Sequence, residues 1–113
     1  MAIFVNIHTH GDTVHHADCE IAIRVVYRDF TQVTRNAQSC CVGLHPYYVQ
    51  DYTAAEQEEA FQIMHLGHVI AIGEIGLDKR NKIHWGLQQS LLHRQLQIAE
   101  QLRKPVVIHC VQV

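Results

Sequence analysis

A chain of 113 residues with 48% hydrophobic and 18% charged residues carries enough apolar material for one globular core, which excludes wholesale disorder. Nine Lys and Arg against eleven Asp and Glu leave a net charge of −2 with no basic run, which excludes a coat protein that binds nucleic acid by phosphate neutralisation alone. No apolar stretch approaches the roughly 20 residues of a membrane span, and the N-terminus lacks a signal-peptide core, so a cytoplasmic protein without a membrane partner is expected.

Residues 2–8 alternate, Ile3, Val5 and Ile7 against Phe4, Asn6 and His8, which is the period-2 pattern of a strand. Gly11 and Asp12 break it, and residues 11–19 read as a loop. Residues 20–29 alternate again through Ile21, Ile23, Val25 and Tyr27, predicting a second strand. The apolar run 40–44 predicts a third, stopped at His45-Pro46 because proline cannot donate to a ladder and pushes its predecessor to extended geometry.

Thr53 and Glu56 stand at capping-box spacing ahead of a helix to about residue 65, with Phe61 and Met64 as its buried stripe. Residues 69–76 form a nearly continuous apolar run, the mark of a parallel strand covered on both faces, interrupted by Glu74. Over residues 82–103, Trp85, Leu92, Leu96, Ala99 and Leu102 follow helical spacing, with Leu87 and Leu91 alongside, until Pro105 ends the helix. Residues 105–111 predict a last buried strand. The alternation of strands and helices predicts an α/β fold with a parallel sheet, in a single domain over residues 1–113.

Of four cysteines, none stand at C-x-x-C spacing, and Cys40 and Cys41 are adjacent, so with Cys19 and Cys110 they read as reduced, mostly buried thiols. The anomaly in the composition is ten histidines. His8 and His10, two apart at the end of the first strand, project to one face and can share an ion. His45, Glu74 and His109 also fall at the C-terminal ends of expected strands, the edge at which parallel sheets build their sites. Nitrogen and oxygen donors together suit zinc and other divalent ions.

A carboxylate in an apolar run is costly without a partner. Glu74 is therefore a ligand or catalytic group, or else it is satisfied by backbone amides, Lys79 or Arg80. His45 reads equally as a loop residue fixed by Pro46, and His109 as a hydrogen-bonded core histidine. His15 and His16 beside Cys19, and His65, His68, His84 and His93, read as solvent-facing. Cys110, adjacent to His109 on a strand, points to the opposite face and reads as core.

Four segments, N-I-H-T-H at 6–10, V-G-L-H-P at 42–46, A-I-G-E-I-G-L-D at 71–78 and K-P-V-V-I-H at 104–109, stand in the order and contexts of one family, as do Gln88, Leu92 and Gln95 before the last of them. In these the chain resembles the TatD family of metal-dependent hydrolases, typified by deoxyribonucleases on a TIM-type barrel. The resemblance implies two divalent ions, Zn, Mg or Mn, held at the barrel mouth by His8, His10, Glu74 and His109, with Glu74 bridging. It implies a water activated for attack on the phosphorus of DNA or another phosphodiester. Glu74 and His45 would be catalytic, His45 lying near the substrate phosphate, and Asp78 would serve the substrate side by ordering the loop or supporting the ligands.

Asn6 stands where the family has a carboxylate, Lys79-Arg80 replaces its aromatic residues, and no basic residue follows His109. A complete (β/α)8 barrel needs at least about 200 residues, so a partial TIM-type barrel of about four to five of the eight strands is expected. The later histidine and aspartate ligands of the family are then missing. The expectation is fewer ions per site, and a homo-oligomer if the chain is truncated. The alternatives are an amidohydrolase-type enzyme for a small ester or phosphate, and a truncated metal-binding relative without catalytic activity.

Overall fold

The computed structural model describes residues 5–9 and 21–112, with side chains from residue 23 onward. The expected loop 11–19, His10, Cys19 and the side chain of His8 lie outside the described residues. Five strands run β1 (Val5–Thr9), β2 (Ile21–Val26), β3 (Cys40–Val42), β4 (Val69–Asp78) and β5 (Val106–Val111). Every neighbouring pair is parallel and the order is β1-β2-β3-β4-β5. A doubly wound sheet reverses its strand order at a switch point, whereas unbroken sequential order is the wall of a barrel.

Among the described residues three α-helices follow β2, β3 and β4: α1 (Thr31–Arg35), α2 (Ala54–Ile63) and α3 (Trp85–Leu102). The capping box of α2 forms as expected, Glu56 N–H donating to Thr53 Oγ1 at 3.1 Å and Thr53 N–H to Glu56 Oε1 at 3.0 Å. The apolar stripe of α2 differs from expectation in one member: Ala60, Ile63 and the following Met64 are buried, while Phe61 packs half-buried at the core margin. Helix α1 has no sequence expectation, because five residues with one buried side chain, Val33, are too short to show a period. His68, expected in solvent, is half-buried with Nε2 2.7 Å from the Val33 carbonyl oxygen, tying α1 to the start of β4.

The sheet separates two apolar layers. Val42, Ile72 and Ile75 pack outward against Phe30, Met64 and Ile98, while Ile23, Val25, Cys41 and Ala71 form a smaller cluster on the other face. A Cβ on Gly43 would lie 2.6 Å from the Gly73 carbonyl carbon, so the close approach of β3 and β4 requires glycine there.

Strand β5 departs from the sequence reading. It alternates between exposed and half-buried residues, with Val106 37% and Ile108 54% exposed, and Cys110 is exposed rather than core. The reason is position: β5 is the edge of the described sheet, and α3 packs chiefly on β4.

The buried line of α3 is also rotated from the expected stripe. It runs Gln88, Leu91, Gln95, Ile98 and Ala99, leaving Leu96 39% exposed. Both glutamines are 1% exposed and cap strand ends where the ladder stops. Gln95 Oε1 accepts from Leu44 N–H at 2.7 Å, and Gln88 Oε1 accepts from Asp78 N–H at 2.7 Å. Gln88 Nε2 also donates to the Asp78 and Asn81 carbonyls at 3.1 and 2.8 Å.

These two side chains thus anchor the segments that carry His45 and Asp78. Replacing Gln95 with Leu leaves the Leu44 amide buried without its acceptor and is expected to cost about 1–3 kcal/mol of unfolding free energy. Leu96→Gln on the exposed side should stay within about 0.5 kcal/mol. Urea unfolding of the two variants checks this, and equal losses would mean that the glutamine bond contributes nothing.

Candidate metal and phosphate site

The C-terminal edge of the sheet gathers three of the residues singled out by sequence. One donor atom each from His45, Glu74 and His109 lies within 4.8 Å of the others. His45 is 9% and Glu74 4% exposed, and the rings of His45 and His109 are 4.3 Å apart between centroids. Strand β1 ends at this same edge through its parallel pairing with β2, with His8 one residue before its last.

Glu74 reaches the site because of a bulge. The β4–β5 register pairs Gly73 with Val107 and Ile75 with Ile108, so Glu74 is the extra residue on β4, and such an insertion re-aims a side chain. Gly76, two residues on, has φ +148° and lies so close to the His109 backbone that no side chain would fit. That contact brings β4 and β5 together where both donors project.

His109 is fixed at one ring nitrogen and faces Glu74 with the other. Its Nε2 donates to Asp78 Oδ2 at 2.8 Å, and its Nδ1 lies 3.5 Å from Glu74 Oε1. Asp78 is fully buried and accepts from the Arg80 backbone N–H at 2.9 Å, from Nε at 2.9 Å and from Nη2 at 2.6 Å. The Arg80 guanidinium, with the His109 bond beside it, holds the Asp78 carboxyl well below its usual range despite burial. An ionised Asp78 is an acceptor only, so Nε2 carries a proton, and in that Nε2–H tautomer the ring's lone pair is on Nδ1, toward Glu74.

Two donors of one tetrahedral ion, each bonded at about 2.0–2.2 Å, stand about 3.3–3.6 Å apart, which is the separation found here between His109 Nδ1 and Glu74 Oε1. A histidine whose far nitrogen is bound to a carboxylate is also the usual support of a metal ligand. The residues therefore fit a divalent ion.

His45 is set differently. Its Nδ1 accepts from Tyr47 N–H at 3.1 Å, its backbone N–H donates to Tyr52 Oη at 3.0 Å, and Tyr52 Oη donates to the Tyr27 carbonyl at 2.7 Å. Burial, and then the neighbouring His109, pull the His45 pKa from 6.5 down to about 4 against the weaker upward pull of Glu74 and Asp78. The ring is therefore neutral near pH 7. With Nδ1 accepting, its proton sits on Nε2, which makes His45 a hydrogen-bond donor rather than an ion's lone-pair ligand.

Tyr27, Tyr47, Tyr48 and Arg80 complete a cavity of about 310 Å³ around His45, Glu74 and His109. No tyrosine is expected in the site from sequence: Tyr27 reads only as the end of the second strand, although Tyr47-Tyr48 directly after His45-Pro46 puts aromatic residues beside a strand end. Arg80, considered from sequence as a partner for Glu74, is bound to Asp78 instead. Among the described residues no helix is long and apolar enough to cross a membrane.

The family model described as TatD related DNase matches residues 7–113. The chain belongs to this family. The TatD relatives include the 3'-5' RNA nuclease TATDN2 of Homo sapiens, 36% identical over 70 residues that make up 60% of this chain and 9% of that protein. They include the 3'-5' ssDNA/RNA exonuclease TatD of Escherichia coli (strain K12), 35% identical over 82 residues that make up 70% of this chain and 32% of that protein. The chain thus spans about a third or less of these relatives. Its parallel sheet with outer helices is the partial TIM-type barrel that the TatD resemblance implied.

Proposed function

We propose that this chain forms part of the active site of a metal-dependent nuclease that hydrolyses phosphodiester bonds of DNA or RNA. The observation that carries the reading is the pairing of His109 Nδ1 with Glu74 Oε1 at 3.5 Å while Asp78 occupies the far side of the same ring. Glu74 and His109 would hold the ion, with His8 of β1 and His10 as further ligands, and a complete site would take two ions. A bound divalent ion supplies an acidified water and neutralises charge on the phosphate.

The remaining roles belong to side chains. Asp78 orients His109 and keeps its Nε2 protonated, and Arg80 adds positive potential beside two carboxylates. His45, neutral and fixed by the Tyr47 N–H, directs its Nε2–H toward an acceptor such as a phosphate oxygen. The names of the TatD relatives, nucleases for RNA or single-stranded DNA, support this substrate class over a small ester.

The test compares hydrolysis of a single-stranded oligonucleotide, bis(p-nitrophenyl) phosphate and p-nitrophenyl acetate, each with and without chelator. Chelator-sensitive cleavage of the oligonucleotide is expected, with the carboxylate ester untouched. Ester hydrolysis without oligonucleotide cleavage would replace this reading with a small-molecule hydrolase.

A further inference from the structure

The cavity is lined by three tyrosines that the metal chemistry does not use. Tyr27 and Tyr48 lie nearly parallel, 5.5 Å between ring centroids at 13°, and Tyr47 meets Tyr48 edge-on at 5.1 Å. Tyr48 is also 5.2 Å from the His45 ring, so the row begins beside the catalytic candidates. Tyr47 is 38% exposed, and the other two rings are half-buried.

Each side of this row carries an arginine. The Arg28 guanidinium carbon lies 4.2 Å from the Tyr48 centroid and 5.5 Å from that of Tyr27, and the Arg80 carbon lies 4.9 Å from Tyr47. Arg28 approaches Asp51 only at 4.0 Å with both side chains more than half exposed, so that pair is weak and a phosphate can replace it. Arg80 engages Asp78 through Nε and Nη2, and its Nη1 takes no part in that pair. Guanidinium groups beside aromatic faces are the pairing that single-stranded nucleic acid uses, phosphates on the cations and bases on the rings.

We infer that Tyr27, Tyr47 and Tyr48 with Arg28 and Arg80 form a nucleotide platform: bases of a single strand stack on the tyrosines while the two arginines contact backbone phosphates flanking the one beside Glu74 and His109. The inference rests on the nuclease reading above and assigns its substrate contacts. A small ester has neither flanking phosphates nor bases to fill such a row.

Fluorescence anisotropy with a fluorescein-labelled oligothymidylate, in chelator so that nothing is cut, measures the platform directly. Tyr47→Ala should weaken binding about 5- to 100-fold, whereas Tyr47→Phe, which keeps the ring, should bind like the parent. Arg28→Ala should lower affinity and reduce the slope of log affinity against log salt by about 0.7, and Arg28→Lys should restore that slope. Arg94, stacked on Phe61 away from the cavity, serves as control, and Arg94→Ala should bind unchanged.

A wall that only braces the fold would lower the melting temperature of Tyr47→Ala without altering affinity, and that result overturns the platform. Parent protein that cleaves the oligonucleotide in a chelator-sensitive manner while the Tyr47 and Arg28 variants bind as it does removes the platform and leaves the nuclease reading standing. Parent protein that neither binds nor cleaves the oligonucleotide removes both.

Discussion

Glu74→Gln is expected to lower chelator-sensitive phosphodiester hydrolysis at least about 100-fold, the scale of losing one group preorganised at developing charge. Glutamine has nearly the shape of glutamate, so the bulge on β4 and the 4% exposed position should accept it without repacking. What changes is charge: a neutral amide replaces the anionic oxygen 3.5 Å from His109 Nδ1, and the proposed ion loses a strong donor. Steady-state rates on a single-stranded oligonucleotide, with circular dichroism to confirm folding, check this. Activity that survives the substitution would mean that Glu74 is not the ligand, or that the activity belongs to a contaminant.

Asp78→Asn is expected to weaken zinc binding about 10- to 100-fold, the cost usual for losing the carboxylate behind a metal-binding histidine. The substitution removes the acceptor that fixes the His109 proton on Nε2 and breaks the two-pronged bond to Arg80. Without that constraint the ring can protonate Nδ1 or rotate, and the lone pair facing Glu74 is lost. Competition with a chromophoric chelator measures the affinity, and imidazole 15N chemical shifts of the metal-free protein report the tautomer. Wild-type affinity with an unchanged tautomer would show that Asp78 serves the loop alone.

Asp78 also links stability to acid. Its folded pKa is held below the unfolded 3.8 by Arg80, so the stability it contributes is present above that value and is lost as pH falls further. The Asn variant should show a shallower acid slope.

Local pattern determined where most elements lie. The capping box at Thr53 and Glu56, the apolar runs that became β3 and β4, and the donors at strand ends could all be read from a few adjacent residues, because strand and helix periods and proline's limits are properties of short segments. The order of these elements implied the parallel sheet, and the TatD-like segments implied the barrel. Tertiary structure decided the partners.

Gln88 and Gln95 stand out in the sequence only through the TatD resemblance, and it is the packing of α3 that brings them to the open amides of Asp78 and Leu44. Val106, Ile108 and Cys110 read as core, yet β5 is a described edge and leaves them exposed. Arg80 is from sequence a candidate partner for Glu74 and the fold gives it to Asp78, and which ring nitrogen of His109 keeps its lone pair depends on a buried carboxylate delivered from β4. A hydrophobic period is written residue by residue along one segment. A polar side chain takes its role from whichever donor or acceptor the fold brings within about 3 Å, and that distance is set between segments far apart in sequence.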